Sequence, residues 1–344
     1  VATQRATTLE GTEVIMISSP AHAPRKERSL APLYVATAVV AGLAMPIQSR
    51  INGALGLRLG DPVAASLVSF TTGLIVLAIA SLLLPGARAG AMAIPRALRE
   101  KRFPLWYLAA GCVGAFVVIS QTLTVPLLGV ALFTVSIVTG QTLGSLLVDG
   151  IGFGPGGRRR ISTLRALGAG LTIAGVIWAV SPRMGSAASI AALLLPMAIP
   201  LVVGFLMGFQ SAANGVQAQA YGTPVAATLV NFFVGGLMLA LLLLVRLPLV
   251  GLPESLPTQW WYYLGGPLGC VFIGLSAFLV KHLGVLLTGL GMICGQLVGS
   301  LLIDVLVPAP GAVINGATIA GTLLTLAAVA LASIPFGRML RARK

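Results

Sequence analysis

Neutral amides recur at helical spacing inside otherwise apolar segments. Gln48 and Asn52 stand four residues apart, on one helix face, as do Gln210 and Asn214. Gln141 is followed at the same spacing by Ser145, and Gln296 by Ser300. These groups donate and accept hydrogen bonds but neither titrate near neutral pH nor attack. Two roles are open to them. One is the polar lining of a central cavity; the other is interhelical hydrogen bonding, worth about 0.6 kcal/mol per bond in a membrane. The sequence holds only eight acidic residues. Glu10, Glu13 and Glu27 precede the first apolar segment, Glu100 and Glu254 fall in loops, and Asp61 precedes Pro62 as a helix N-cap. Asp149 and Asp304 remain, each at the C-terminal end of a predicted helix, where the helix dipole disfavours a negative charge. Each therefore needs a cation or a backbone donor. Arg158 to Arg165 are near Asp149 in sequence. For Asp304 the expected partner is Arg50 or Arg58, in a contact that closes one side of the protein; the alternative is capping of backbone N–H groups or exposure to water.

Other chemistry finds no support. The sequence contains no H-E-x-x-H, G-x-S-x-G or P-loop motif, so no catalytic residues, metal ligands or cofactor are expected. Its two histidines are His22 and His282. Cys112, Cys270 and Cys294 lie in apolar runs without metal-ligand spacing and read as small apolar residues. No carboxylate lies in mid-span, which weakens the case for proton coupling through a buried acid.

The positioning elements come as a tandem duplication. Residues 48–74 match 210–236 at 13 of 27 positions without a gap, an offset of 162. Residues 140–149 match 295–304 at 7 of 10 positions, an offset of 155. Pro62 and Pro224 open corresponding helices behind Asp61 and Thr223. Glycines recur at the four-residue spacing that lets membrane helices approach closely: Gly140 with Gly144, Gly295 with Gly299, Gly204 with Gly208.

The solvent for these helices is lipid. The chain is 57% apolar and 9% charged, with mean hydropathy +0.99, against about 25% charged for a soluble domain. Ten spans are predicted, at about 32–57, 62–84, 104–125, 129–149, 163–182, 190–219, 223–245, 260–281, 284–306 and 315–336. Residues 1–29 read as a disordered cytoplasmic tail, 30–183 as a first five-helix repeat and 184–344 as a second. Counting on alternate sides puts 18 of the 22 basic residues on the side of the N-terminus; only Arg50, Arg58, Arg183 and Arg246 fall opposite. This bias predicts both termini in the cytoplasm. The net charge of +14 is thereby assigned to a membrane face, and no nucleic-acid partner is expected. Five helices per repeat invert the second half relative to the first. Inverted repeats are the architecture of alternating-access transporters, with the solute site at the repeat interface.

The pattern Pro46-x-Gln48-x-x-x-Asn52-Gly53, then Leu59-Gly60-Asp61-Pro62-Val63-Ala64-Ala65 and Phe70-x-x-Gly73, resembles the YdcZ-type family of the drug/metabolite transporter superfamily. The segments Gly140-Gln141…Asp149 and Gly295-Gln296…Asp304 resemble that family's fourth-helix motif. The resemblance spans about residues 32 to 336 and implies a ten-helix inner-membrane permease, an exporter. The expected class is thus an all-α polytopic membrane protein of two inverted five-helix repeats, in a bacterial inner membrane. It would export a small polar or amphipathic metabolite or drug-like compound. Its partners would be that solute, the bilayer and a second copy in a homodimer. A passive channel and a non-transporting scaffold are the rival readings.

Overall fold

The structure is a computed structural model that describes residues 25–154, 157–158, 161–185 and 187–333. The tail expected over 1–29 lies outside the described residues as far as residue 24, as do Arg159, Arg160 and the basic C-terminus; from Arg25 the chain is helical. Eleven α-helices are described: α1 (Arg25–Gly42), α2 (Ala44–Leu59), α3 (Pro62–Leu83), α4 (Pro85–Arg99), α5 (Ala110–Leu128), α6 (Val130–Ile151), α7 (Thr163–Val180), α8 (Ala187–Tyr221), α9 (Pro224–Val250), α10 (Gly265–Leu306) and α11 (Gly316–Ala332). Among the described residues, eight helices are long and apolar enough to cross a membrane, and α11 is apolar but only 17 residues long.

Several boundaries differ from those expected. The first span is two helices, α1 and α2, broken at Leu43. The basic loop expected over 85–103 is largely α4, an amphipathic helix whose Ala87, Gly90 and Ala97 are buried while Arg88, Arg96 and Arg99 face out. Pro85 begins it and Pro95 lies within it. Just beyond its end, Arg96 and Arg102 each place a guanidinium 2.7 Å from Glu100 and hold its carboxyl below the usual range.

The spans expected at 260–281 and 284–306 are one helical run, α10, of 42 residues. A straight helix of that length would measure about 63 Å. Yet both of its ends meet the same part of α2. A Cβ on Gly265 would fall 2.1 Å from Asn52 Oδ1, and Arg50 Nε donates to Val307 O just past the far end. The middle meets α1: Phe278 and His282 pack on Tyr34, and Gly291 on Ala38. The run therefore doubles back between His282 and Gly291. In the first half the corresponding reversal, from α5 to α6, is made at Gly129, whose φ of 84° and ψ of 167° suit glycine alone.

Four seams join the halves. A Cβ on Gly140 would lie 1.9 Å from Leu201 O of α8; one on Gly295 would lie 1.9 Å from Val39 O of α1. Gly175 and Gly321 bring α7 and α11 together. The fourth seam pairs α3 with α9, and at its centre Phe70 and Phe232, equivalent at offset 162, have ring centroids 4.9 Å apart. These two helices run antiparallel. Arg246, near the end of α9, donates to Asp61 Oδ1 at the start of α3 (2.9 Å), and Gly90, beyond the end of α3, lies against Thr223 at the start of α9. The bundle thus has an Asp61 end and a Thr223 end. Both N-caps form as expected. Asp61 Oδ1 accepts from Val63 N (2.8 Å) and Ala64 N (3.1 Å), and Thr223 Oγ1 from Val225 N (3.3 Å). Such caps contribute about 1 kcal/mol each.

Candidate functional site

At the Asp61 end the first half is packed shut. Asn52 Nδ2 donates to Gln121 Oε1 (2.7 Å), and Gln121 Nε2 to Ser49 Oγ (3.1 Å). Thr122 Oγ1 donates to Pro62 O (3.2 Å) and sits 3.5 Å from Ser66 Oγ. A Cβ on Gly56 would lie 2.9 Å from Thr122 Cβ, so α2 lies directly on α5. Asn52, Ser66 and Gln121 have no exposed surface. Gln48 Oε1 and Asn52 Oδ1 are buried without a hydrogen-bond partner, at a cost of about 1–3 kcal/mol each.

At the Thr223 end the equivalent residues enclose a cavity. Its volume is about 650 Å³, within the usual range for small-molecule sites. Ser211, Asn214, Gly215 and Ala218 of α8 line it, the counterparts of Ser49, Asn52, Gly53 and Gly56. Phe272, Ile273 and Ser276 of α10 face them, the counterparts of Val117, Val118 and Gln121. Pro224, Ala227 and Thr228 of α9 replace Pro62, Ala65 and Ser66. The cavity reaches the surface at Ser211 and Pro224, both exposed. Where α2 lies on α5, α8 and the first part of α10 stand apart.

Gln141 and Gln296, equivalent at offset 155, line this cavity from opposite halves. Of the other amide and hydroxyl candidates, Asn214 lines it and accepts from Asn231 Nδ2 (2.6 Å). Gln48 and Asn52 lie in the closed packing instead. Gln210 is half-buried against Gly114 of α5, and buried Ser300 donates to Leu297 O (2.8 Å). Ser145 shares a smaller crevice of about 170 Å³ with Gln141 and Arg165. Ser276 and Thr228 were not singled out in the sequence. They could have been found by carrying Gln121 and Ser66 across the repeat offsets.

Of the charged candidates, Asp304 takes the backbone-capping alternative and not the arginine contact. Asp304 makes no ion pair with Arg50 or Arg58 in this structure. Its two carboxylate oxygens accept from Val130 N (2.9 Å) and Ala131 N (2.8 Å), at the N-terminus of α6. The partial positive charge of that helix end meets the need that the C-terminus of α10 creates. Arg50 donates to Val307 O (2.9 Å) and Pro308 O (3.2 Å), and Arg58 pairs with Glu254 at 2.7 Å in an exposed contact. Asp149 is paired with Arg165, from the basic segment expected. Among the described residues there is no cluster of His, Cys, Asp or Glu suited to a metal.

The family described as "Putative inner membrane exporter, YdcZ" matches residues 33–178 and 195–331, most of the chain and both halves. The chain belongs to the YdcZ family of DMT membrane proteins. A comparison with curated proteins returns no match. A solved structure described only as "Crystal structure of protein" is similar over 92% of this chain and 99% of its own, with a TM-score of 0.54 and 21% identity, a likeness of fold alone. YdcZ membership and the apolar helices make this an inner-membrane protein of an exporter family. The cavity between its halves is its candidate solute site.

Proposed function

We propose that this chain is a secondary transporter of ten spans in two inverted repeats, which exports a small uncharged amphipathic solute by alternating access. We read the structure as its cytoplasm-open state. The observation carrying this reading is the asymmetry between equivalent residues: Ser49, Asn52 and Gln121 are packed together, while Ser211, Asn214 and Ser276 line a cavity. Two halves of one ancestry in two arrangements are what a two-state carrier needs, because exchanging the arrangements moves the opening to the other side. The doubled-back path of α10 supports counting it as two spans, and the antiparallel Phe70–Phe232 contact supports inversion. Among its described lining residues the cavity has six amides and hydroxyls and no charge. A charged solute would lose hydration there without a counter-ion, which favours an uncharged one.

Orientation follows from the basic residues. Arg88, Arg96, Arg99, Lys101 and Arg102 gather beside the Thr223 end, which supports reading that end as cytoplasmic. Reporter fusions at Pro257 and Lys344 are expected to report opposite sides, with Lys344 cytoplasmic. The same side for both would remove the inverted repeat and, with it, this transport reading.

The solute class is tested in proteoliposomes loaded with uncharged amphipathic compounds and their amine- and carboxylate-bearing analogues. The uncharged members should leave faster, and Gln141→Leu with Gln296→Leu should slow them by about tenfold or more, since each amide offers bonds that leucine cannot. Normal efflux from the double variant would reduce both amides to packing. Equal, non-saturating flux of every compound in both directions would point to a passive channel.

A further inference from the structure

The outer face of α4 carries a charge pattern that its packing does not use. The helix buries Ala87, Gly90 and Ala97. Gly90 lies against Thr223 at the start of α9, and Ala97 clusters with Tyr221, Ala226 and Ala227. The opposite face is open. At about 100° per residue, Arg88 and Arg99 point within about 20° of each other and stand about 16 Å apart along the axis. Met92 lies between them on the same face and is 65% exposed. Arg96 and Arg102 are taken up by Glu100, whereas Arg88 and Arg99 have no acidic partner among the described residues.

Lipid lies next to this face. Leu82, Leu83 and Leu84 lead directly into α4 and are all exposed. They end a membrane span with apolar surface that hydrocarbon covers and water does not. The helix therefore starts where acyl chains give way to headgroups. Met92, apolar and uncovered, suits that boundary better than open water. Two unpaired guanidiniums at the same level attract an anionic surface, and their planar forks match phosphate oxygens.

We propose that the Arg88–Met92–Arg99 face of α4 binds anionic phospholipid headgroups and so holds α4 in its seat beside the cavity mouth. The seat itself is weak. The residues that α4 buries are alanines and a glycine, which supply little apolar area. Beneath it, Tyr221 keeps a buried hydroxyl without a partner. Ala227 belongs both to this cluster and to the cavity wall, and Pro224 lies at the cavity's opening. Headgroup binding thus bears on the rim of the candidate solute site. The inference needs only that the chain lies in a phospholipid bilayer, and it stands apart from alternating access.

The test places a fluorophore on Met92→Cys in a full-length chain whose three native cysteines are alanine. The protein is reconstituted in phosphatidylcholine vesicles that carry nitroxide-labelled phosphatidylglycerol or, at the same fraction, nitroxide-labelled phosphatidylcholine. Phosphatidylglycerol should quench with an apparent affinity about tenfold or more above that of phosphatidylcholine, and high salt should shrink the difference. Arg88→Gln with Arg99→Gln should lower the preference about fivefold for each arginine removed. Both side chains are exposed, so the variant should fold as the parent does. Backbone amide exchange over 85–99 should be slower with phosphatidylglycerol present in the parent and unchanged by it in the double variant. A label on Leu249→Cys, exposed at the opposite end, should be quenched equally by both lipids. Equal quenching at Met92→Cys would mean that the face touches lipid without selecting charge. No quenching by either lipid would mean that it faces water or another protein. Either result, a double variant with the parent's preference, or the same preference at Leu249→Cys would overturn the headgroup site, and lipid-independent exchange in the parent would overturn the hold on α4. None of these outcomes bears on the transport reading, which the efflux assay decides.

Discussion

Gly295→Ala is expected to abolish the monodisperse species in detergent that Gly170→Ala retains. The two glycines are both mid-helix, so helix propensity favours alanine by about 1 kcal/mol in each case. Their surroundings decide the outcome. At Gly170 a Cβ meets nothing within 4 Å, because that face of α7 is exposed. At Gly295 it would sit 1.9 Å from Val39 O and 2.9 Å from Gly42 Cα. These are backbone atoms of α1, so relief requires separating two helices along the seam. Overpacking in a close-packed interior costs about 1–3 kcal/mol when side chains can adjust, and here no flexible side chain is in the way. The loss should therefore reach the top of that range or exceed it. Thermal unfolding followed by size-exclusion chromatography distinguishes the outcomes. A Gly295→Ala protein as stable as the parent would mean that the α1–α10 seam is not the close contact described.

The largest functional effect is expected from a cross-link across the closed end. A Cβ on Gly53 would lie 3.0 Å from Val125 Cβ, and a disulfide holds its two Cβ atoms at about 3.5–4.5 Å. Cysteine is smaller than valine, so the pair Gly53→Cys and Val125→Cys needs only a small shift to close. Oxidation would fasten α2 to α5 where Asn52 already meets Gln121. In cysteine-free background, export of the uncharged solutes should fall to the level of empty vesicles on oxidation and return with a reductant. The reduced form serves as its own control for folding. Undiminished export from the oxidised protein would show that this packing does not open during transport.

Much of the architecture was legible in the chain. Composition alone required a lipid-embedded helical protein, because 57% apolar residues leave too little polar surface to face water. The N-caps Asp61 and Thr223 were readable because an oxygen-bearing residue before proline satisfies the first free N–H groups of a helix wherever that helix lies. The family motif, the duplication and the packing glycines were equally plain, since each rests on residue identity and spacing within one segment. Gln141 and Gln296 were candidates for the same reason, and the structure brings both to one cavity.

Tertiary structure decided what depends on distance between segments. The duplication marks Asn52 and Asn214 as equivalents, but equal residues in two halves cannot say which half is packed and which is open; that depends on how the surrounding helices pack. For Asp304 the chain offered an arginine contact or the capping of backbone N–H groups, and the structure shows the capping. The backbone N–H groups of Val130 and Ala131, 174 and 173 residues away, carry no mark in the sequence and are freed only because Gly129 starts a new helix beside them. The 85–103 segment read as a basic loop, since its prolines and arginines break the apolar pattern; α4 forms there because Gly90 and Ala97 find cover on α9 and its neighbours. Local spacing fixes a helix and its polar face, whereas the partner of that face is chosen by the competition among all the helices that pack around it.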